Sequence, residues 1–293
     1  MKGETQRILA TYKPQTADDA AAALQALWSQ VPPTEGGARL VKAEVRAEIQ
    51  ALGVPVPTLS EIGKGLGRVA RCRVGDFLPL AERLWKAYGR EGRLVASTLL
   101  GPMELAAPEK VILVIEEMAR TCATWEDCDQ LAMRALEPVV RKEPENYLST
   151  MKHWIEDPNK WVCRAGITVV ARLPMKRPEY TETCLRLVEP ALGDDDLDVR
   201  RAVSFAIRMG ARGEPEAVVG FIKRQAHRTD AASIWVLCDA MRSMTKKFLP
   251  QFTELLPLYE RWQELVETKS QRSVASAIKA LRSAGQIVHR KAS

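Results

Sequence analysis

Two residues four apart, Trp125 and Asp129 in TCATWEDCDQLA, combine a large π surface with a carboxylate. On a helix that spacing sets both side chains on one face, one turn apart. An indole attracts cations through its ring quadrupole, and a carboxylate does so through its charge. A planar, electron-poor, positively charged ligand suits the pair better than a hydrophobic core does. Two structural alternatives stand beside this reading. Trp125 could pack between helices, and Asp129 could cap a neighbouring repeat or pair with an arginine.

The elements that must position the pair are helical. Alternating β-branched runs and Asn-Gly hairpin signals are almost absent. Amphipathic segments follow one another instead, at 17–30, 60–72, 75–88, 108–120, 158–173, 198–210 and 215–226, divided by Pro, Gly, Asp or Asn. The pattern predicts an all-α chain. Asp157 is expected to cap the helix that opens with Pro158, with Trp161 packing in its first turn.

Composition narrows the possibilities. The 293 residues are 46% hydrophobic and 27% charged, as expected of a soluble protein, and no apolar run reaches the length of a membrane span. The N-terminal stretch has no apolar core of the secretory kind. Six cysteines form no CxxC pair and there are three histidines, so neither a zinc site nor any other metal is expected. Scattered free thiols fit a reducing cytoplasm. A formal charge of +6 and a pI near 9.0 fit a nucleic-acid partner without requiring one.

A repeat underlies the helices. DPNKWVCRAGITVVARL and GDDDLDVRRAVSFAIRMGA share an acidic opening, an arginine and an apolar run, and Arg164 and Arg201 are 37 residues apart. Arg93 precedes Arg164 by 71 residues and Arg272 follows Arg201 by 71, about two steps each. Asp129, 36 residues after Arg93, fills one skipped step. This is the signature of HEAT repeats: about six stacked antiparallel helix pairs in a solenoid with a concave basic face. Arg93, Asp129, Arg164, Arg201 and Arg272 would then form one ladder. The alternative for these arginines is pairing with acidic residues of the next repeat.

Several stretches together resemble the DNA alkylation-repair family, the AlkD-like HEAT-repeat glycosylases that excise alkylated purines. They are ALGVPVPTLSEIGKGL, LWKAYGREGRLVAS with Glu91, TWEDCDQLA, DPNKWVCRAG and VRRAVSFAIRMGA, in family order over roughly 35–225. The resemblance implies a single repair domain over 1–293, with extra C-terminal helices from about 230. It also implies that Trp125 and Asp129 are the catalytic pair and that Arg164 and Arg208 grip the DNA backbone. Phe205 stands where competent members carry a second cleft tryptophan. Trp85 and Glu91 read as core and interhelix contacts.

An alkylated purine carries a positive charge, and charge moves onto the sugar as the base leaves. A fixed anion there stabilises the transition state. At about 4 Å and a dielectric near 20, one carboxylate contributes roughly 4 kcal/mol, or about a thousandfold in rate. The expected activity is monofunctional hydrolysis of the N-glycosidic bond of N3- and N7-alkylated purines in duplex DNA. It would be carried out by a cytoplasmic monomer without cofactor, metal or membrane. No lysine is placed for Schiff-base chemistry. Two other readings remain: a DNA-structure-binding relative weak or inactive in excision, which Phe205 favours, and a protein-interaction scaffold.

Overall fold

The computed structural model describes residues 2–34, 49–265 and 268–292; the start of the family likeness, 35–48, lies outside the described residues. All regular elements among the described residues are helices. None of these helices is long and apolar enough to cross a membrane. Chain contacts divide the protein into two units, 1–144 and 145–293.

The first unit contains α1 (Lys2–Thr11), α2 (Ala17–Trp28), α3 (Val56–Ala70), α4 (Val74–Ala87), α5 (Gly89–Ala106), α6 (Pro108–Arg120) and α7 (Trp125–Leu131). A π-helical turn, Ala132–Leu136, joins α7 to α8 (Glu137–Lys142). Helix α3 lies against α5, with the shorter α4 between them in sequence. Its face Leu59, Ile62, Leu66 and Ala70 is fully buried, as the three-and-four spacing requires. Contact is close because of two glycines. A methyl at Gly63 would lie 2.6 Å from Thr98 Cβ, and one at Gly67 would lie 2.8 Å from Pro102 Cγ. Farther along α5, Glu104 is fully buried with no hydrogen-bond partner for either oxygen among the described residues. Burial pushes its carboxyl up to about 9.

The second unit opens with α9 (Pro144–Ile155) and continues with α10 (Lys160–Arg172), α11 (Thr181–Val188), α12 (Leu197–Gly213) and α13 (Pro215–Arg224). It ends with α14 (Ala231–Arg242), α15 (Leu256–Leu265) and α16 (Thr268–Ala292). Here α10 packs on α12, α12 on α14, and α14 on α16. Each long helix thus meets the long helix of the next repeat, which is how a repeat that cannot bury its apolar stripe alone covers it. Side-chain caps start these helices: Asp196 accepts from Asp198 N at 2.7 Å and Asp230 from Ser233 N at 2.8 Å. One expected cap is wrong. Asn159, not Asp157, caps α10, accepting from Trp161 N and Val162 N at 2.9 and 3.3 Å. Asp157 instead accepts from Asn159 N at 2.8 Å, forming the turn that precedes the helix.

Candidate functional site

Helix α7 is held by the charged residues beside Trp125 and Asp129. Thr124 caps it and Asp127 completes a capping box, accepting from Thr124 N and Ala123 N at 2.8 and 3.0 Å. Arg93 of α5 reaches across to pair with Asp127. One residue earlier, Glu126 takes a two-point grip from Arg90, Nε to Oε2 at 2.7 Å and Nη2 to Oε1 at 2.9 Å. Arg90, Glu126 and Asp127 are all buried. Burial works against the Arg90 charge, but the Glu126 hydrogen bond and the fields of Glu126 and Glu91 outweigh it and hold the guanidinium above its ordinary value.

The same cluster ties down the loop before α3. Glu91 accepts from the backbone amides of Leu52, Gly53 and Val54 at 3.0–3.3 Å, while Arg90 donates to the Val54 carbonyl at 3.2 Å. Gly53 has φ +81°, a conformation glycine adopts without the Cβ penalty. Trp85 is buried and donates through Nε1 to Thr121 Oγ1 at 2.9 Å. Trp85 and Glu91 are therefore framework contacts, as expected.

With Glu126, Asp127 and Cys128 turned inward, helical geometry turns Trp125 outward. It is 47% exposed, and Asp129, one turn on, is partly exposed. After Leu131, two residues past Asp129, the helix widens into the π turn, for which Pro138 gives a reason: lacking an N–H, it cannot donate to the Arg134 carbonyl four residues back. That carbonyl abuts Gly101 of α5, where a methyl would lie only 2.3 Å from it.

The ladder positions can now be placed. Arg93, Asp129, Arg164, Arg201 and Arg272 each stand four residues after the first residue of their helix. Register is thus equivalent, yet surroundings differ. Arg93 is used internally, paired with Asp127 and lying 4.9 Å over the Trp85 ring, with its side chain 12% exposed. This is the ion-pair alternative: Arg93 spends at least one donor on Asp127. Arg164 is 6% exposed and donates to the Asp198 carbonyl at 2.5 Å, so at least one of its donors serves the next repeat rather than a ligand. Arg201 is exposed, with Asp198 at 3.6 Å, and Arg272 is exposed.

On α12, Phe205 and Arg208 are both partly exposed, and the Arg208 guanidinium lies 5.8 Å from the Phe205 ring. Burial pulls the Arg208 guanidinium below its ordinary value; Asp239 opposes this, while the charges of Arg212 and Arg242 reinforce it. Arg201, Phe205 and Arg208 stand four, eight and eleven residues into α12 and share one helical face.

The model of a family described as DNA alkylation repair enzyme matches residues 34–244, well over half of the sequence. The chain belongs to this family. The crystal structure of AlkD2 from Streptococcus mutans superposes with a TM-score of 0.53 at 15% identity, covering 78% of this chain and 99% of that one. An engineered protein gives a TM-score of 0.34 at 12% identity, covering 86% and 97%. A designed armadillo repeat protein in complex with a (KR)4 peptide gives 0.32 at 15%, covering 85% and 100%. No curated protein matches.

Membership makes this a DNA alkylation-repair protein with an all-α helical-repeat fold of the solenoid type. The family match runs to 244, past the boundary near 225 suggested by the motifs. Two features escaped sequence reasoning. Arg90, Glu126 and Asp127 position α7, and no local spacing links residues 34 to 36 apart. Trp235 stands four residues into α14, at the second skipped step. Counting 34 residues on from Arg201 would have found it.

Proposed function

We propose that this family member is a monofunctional DNA glycosylase that hydrolyses the N-glycosidic bond of cationic N3- and N7-alkylated purines in duplex DNA. The observation that carries the reading is the outward face of a firmly held α7. Its two inward carboxylates are consumed by Arg90 and Arg93, while Trp125 presents an exposed indole one turn from Asp129.

In the proposed reaction the C1′–N bond breaks with its electron pair going to the base, which neutralises the alkylpurine cation. Positive charge passes to the sugar, where the Asp129 carboxylate stabilises it. Water adds at C1′ and releases a proton that Asp129 is suited to accept. The products are a neutral free base and an abasic sugar. Trp125 holds the cationic nucleotide by cation–π and CH–π contact, contributing about 0.5–2 kcal/mol. Arg201, Arg208 and Arg272, with whatever donors Arg164 retains, engage phosphates, and the protein acts as a monomer without metal or organic cofactor.

A second reading rests on Phe205. A smaller ring at the position of the family's tryptophan favours a DNA-structure binder of weak excision. One assay separates the two. Methylated duplex is incubated with wild type and with Asp129→Asn, and free 7-methylguanine and 3-methyladenine are quantified. Release that Asp129→Asn abolishes is the expected result. Wild-type release at the spontaneous rate, with duplex binding retained, would leave the binding reading in its place.

A further inference from the structure

Helix α12 is not the last to carry an outward stripe of its kind. In α12, α14 and α16 alike, the residues five, six, nine and ten positions after the first are buried. The positions four and eleven after the first therefore look away from the core on one face, two turns or about 10 Å apart. In α12 these positions hold Arg201 and Arg208; in α14, Trp235 and Arg242; in α16, Arg272 and Lys279. Trp235 is partly exposed, and Arg242, Arg272 and Lys279 are exposed.

Two contacts set the first two stripes side by side. Ser204 Oγ of α12 donates to the Asp239 carboxylate of α14 at 2.5 Å, and the Arg200 guanidinium lies 5.5 Å over the Trp235 ring. Asp239 also accepts from Arg242 Nε and Nη2, at 2.9 and 2.5 Å. That fixes the guanidinium and leaves its Nη1 edge for another acceptor.

We infer that the DNA-contacting face continues from α12 onto α14 and α16, with Arg242 and Lys279 engaging phosphates and Trp235 packing its ring on a nucleotide between them. The inference deepens the DNA reading above and rests on it. Packed helices lie about 8–10 Å apart, which spans two to three base pairs of duplex rise per step. A file of cations at that interval suits every second or third phosphate along one strand, and an aromatic ring in the file suits a sugar face. Arg272 and Lys279 lie beyond the family match, so this part of the footprint is the chain's own.

The test is the affinity of the full chain for an undamaged 20-base-pair duplex, measured across salt concentration. Each lost phosphate contact lowers the slope of log K against log salt by about 0.9. The double variant Arg242→Gln with Lys279→Gln should therefore lose about 1.8 of slope. Trp235→Ala should weaken binding about tenfold with the slope unchanged, and Trp235→Phe should restore most of it. Arg201→Gln with Arg208→Gln serves as the reference for the α12 face. If that pair lowers the slope while the Arg242/Lys279 pair and Trp235→Ala bind as wild type, the extension is wrong and the DNA reading stands. Absence of salt-dependent binding by the wild type would overturn both. Thermal unfolding of each variant, with Lys279→Gln also measured singly, separates lost contacts from lost folding.

Discussion

Residues 1–144 hold 19 basic and 19 acidic residues, whereas 145–293 hold the other 24 and 18, so the whole +6 surplus lies in the second unit. Arg93 and Arg201 show the difference at one helical position. In the first unit Arg93 is enclosed by Asp127 and Trp85; in the second, Arg201 is exposed, with Asp198 at 3.6 Å. The first unit uses its charges against one another, and the product is a fixed α7. The second turns unbalanced arginines toward solution. Identical register therefore carries opposite duties: rigidity for the unit with Trp125 and Asp129, long-range attraction for the other.

Breaking the inner network should have the largest effect. Arg90→Met strands Glu91 and Glu126 without their cation, and we expect a loss of about 3–5 kcal/mol in urea unfolding. A loss below 1 kcal/mol would mean that the cluster does not hold the first unit together. Asp129→Asn should reduce base release about a thousandfold, since the proposed duty of Asp129 is electrostatic.

Glu104 tests the first unit through pH. Its carboxyl is held at about 9 by burial, while the unfolded chain ionises at its ordinary value near 4.5. Between those values the unfolded state binds fewer protons, so stability is full below 4.5 and falls as pH rises toward 9. Glu104→Gln should remove a slope on the order of 1 kcal/mol per pH unit, and its advantage over wild type should grow from pH 5 to 8. Parallel stability profiles for the two proteins would show that Glu104 is not buried as a neutral acid.

A matched pair of substitutions isolates the two duties. Arg93→Gln should cost stability and leave the salt slope of DNA binding nearly intact, whereas Arg201→Gln should do the reverse, lowering the slope by about 0.9. Smallest of all, Phe205→Trp should raise base release by at most about tenfold. An unchanged rate would mean that this position does not meet the lesion.

Local rules made much of this legible. The helix 108–120 was read to the residue, because Pro108 marks its start and its apolar spacing runs unbroken. The shared face of Trp125 and Asp129 followed from a four-residue interval, and the ladder from repeat arithmetic. What escaped depends on partners distant in sequence. Nothing near Arg90 reveals that it meets Glu126 rather than solvent, and Arg93 looks like any other ladder arginine until Trp85 and Asp127 close around it. The cap of α10 was ambiguous for a different reason. Asp157 and Asn159 flank Pro158, both are good caps, and the choice between them sets where the first turn begins.

The cysteines bear on the company such a protein would keep. Cys72 is exposed and the other five are buried. Burial pushes the Cys184 thiol up to about 12, and Cys122, beside Cys128 of α7, is driven well above its usual value first by burial and then by that neighbour. Thiolates, not thiols, are the nucleophiles that electrophiles consume. A DNA alkylation-repair protein thus keeps five of its six thiols away from alkylating reagents, and Cys72 is the thiol left for them to reach.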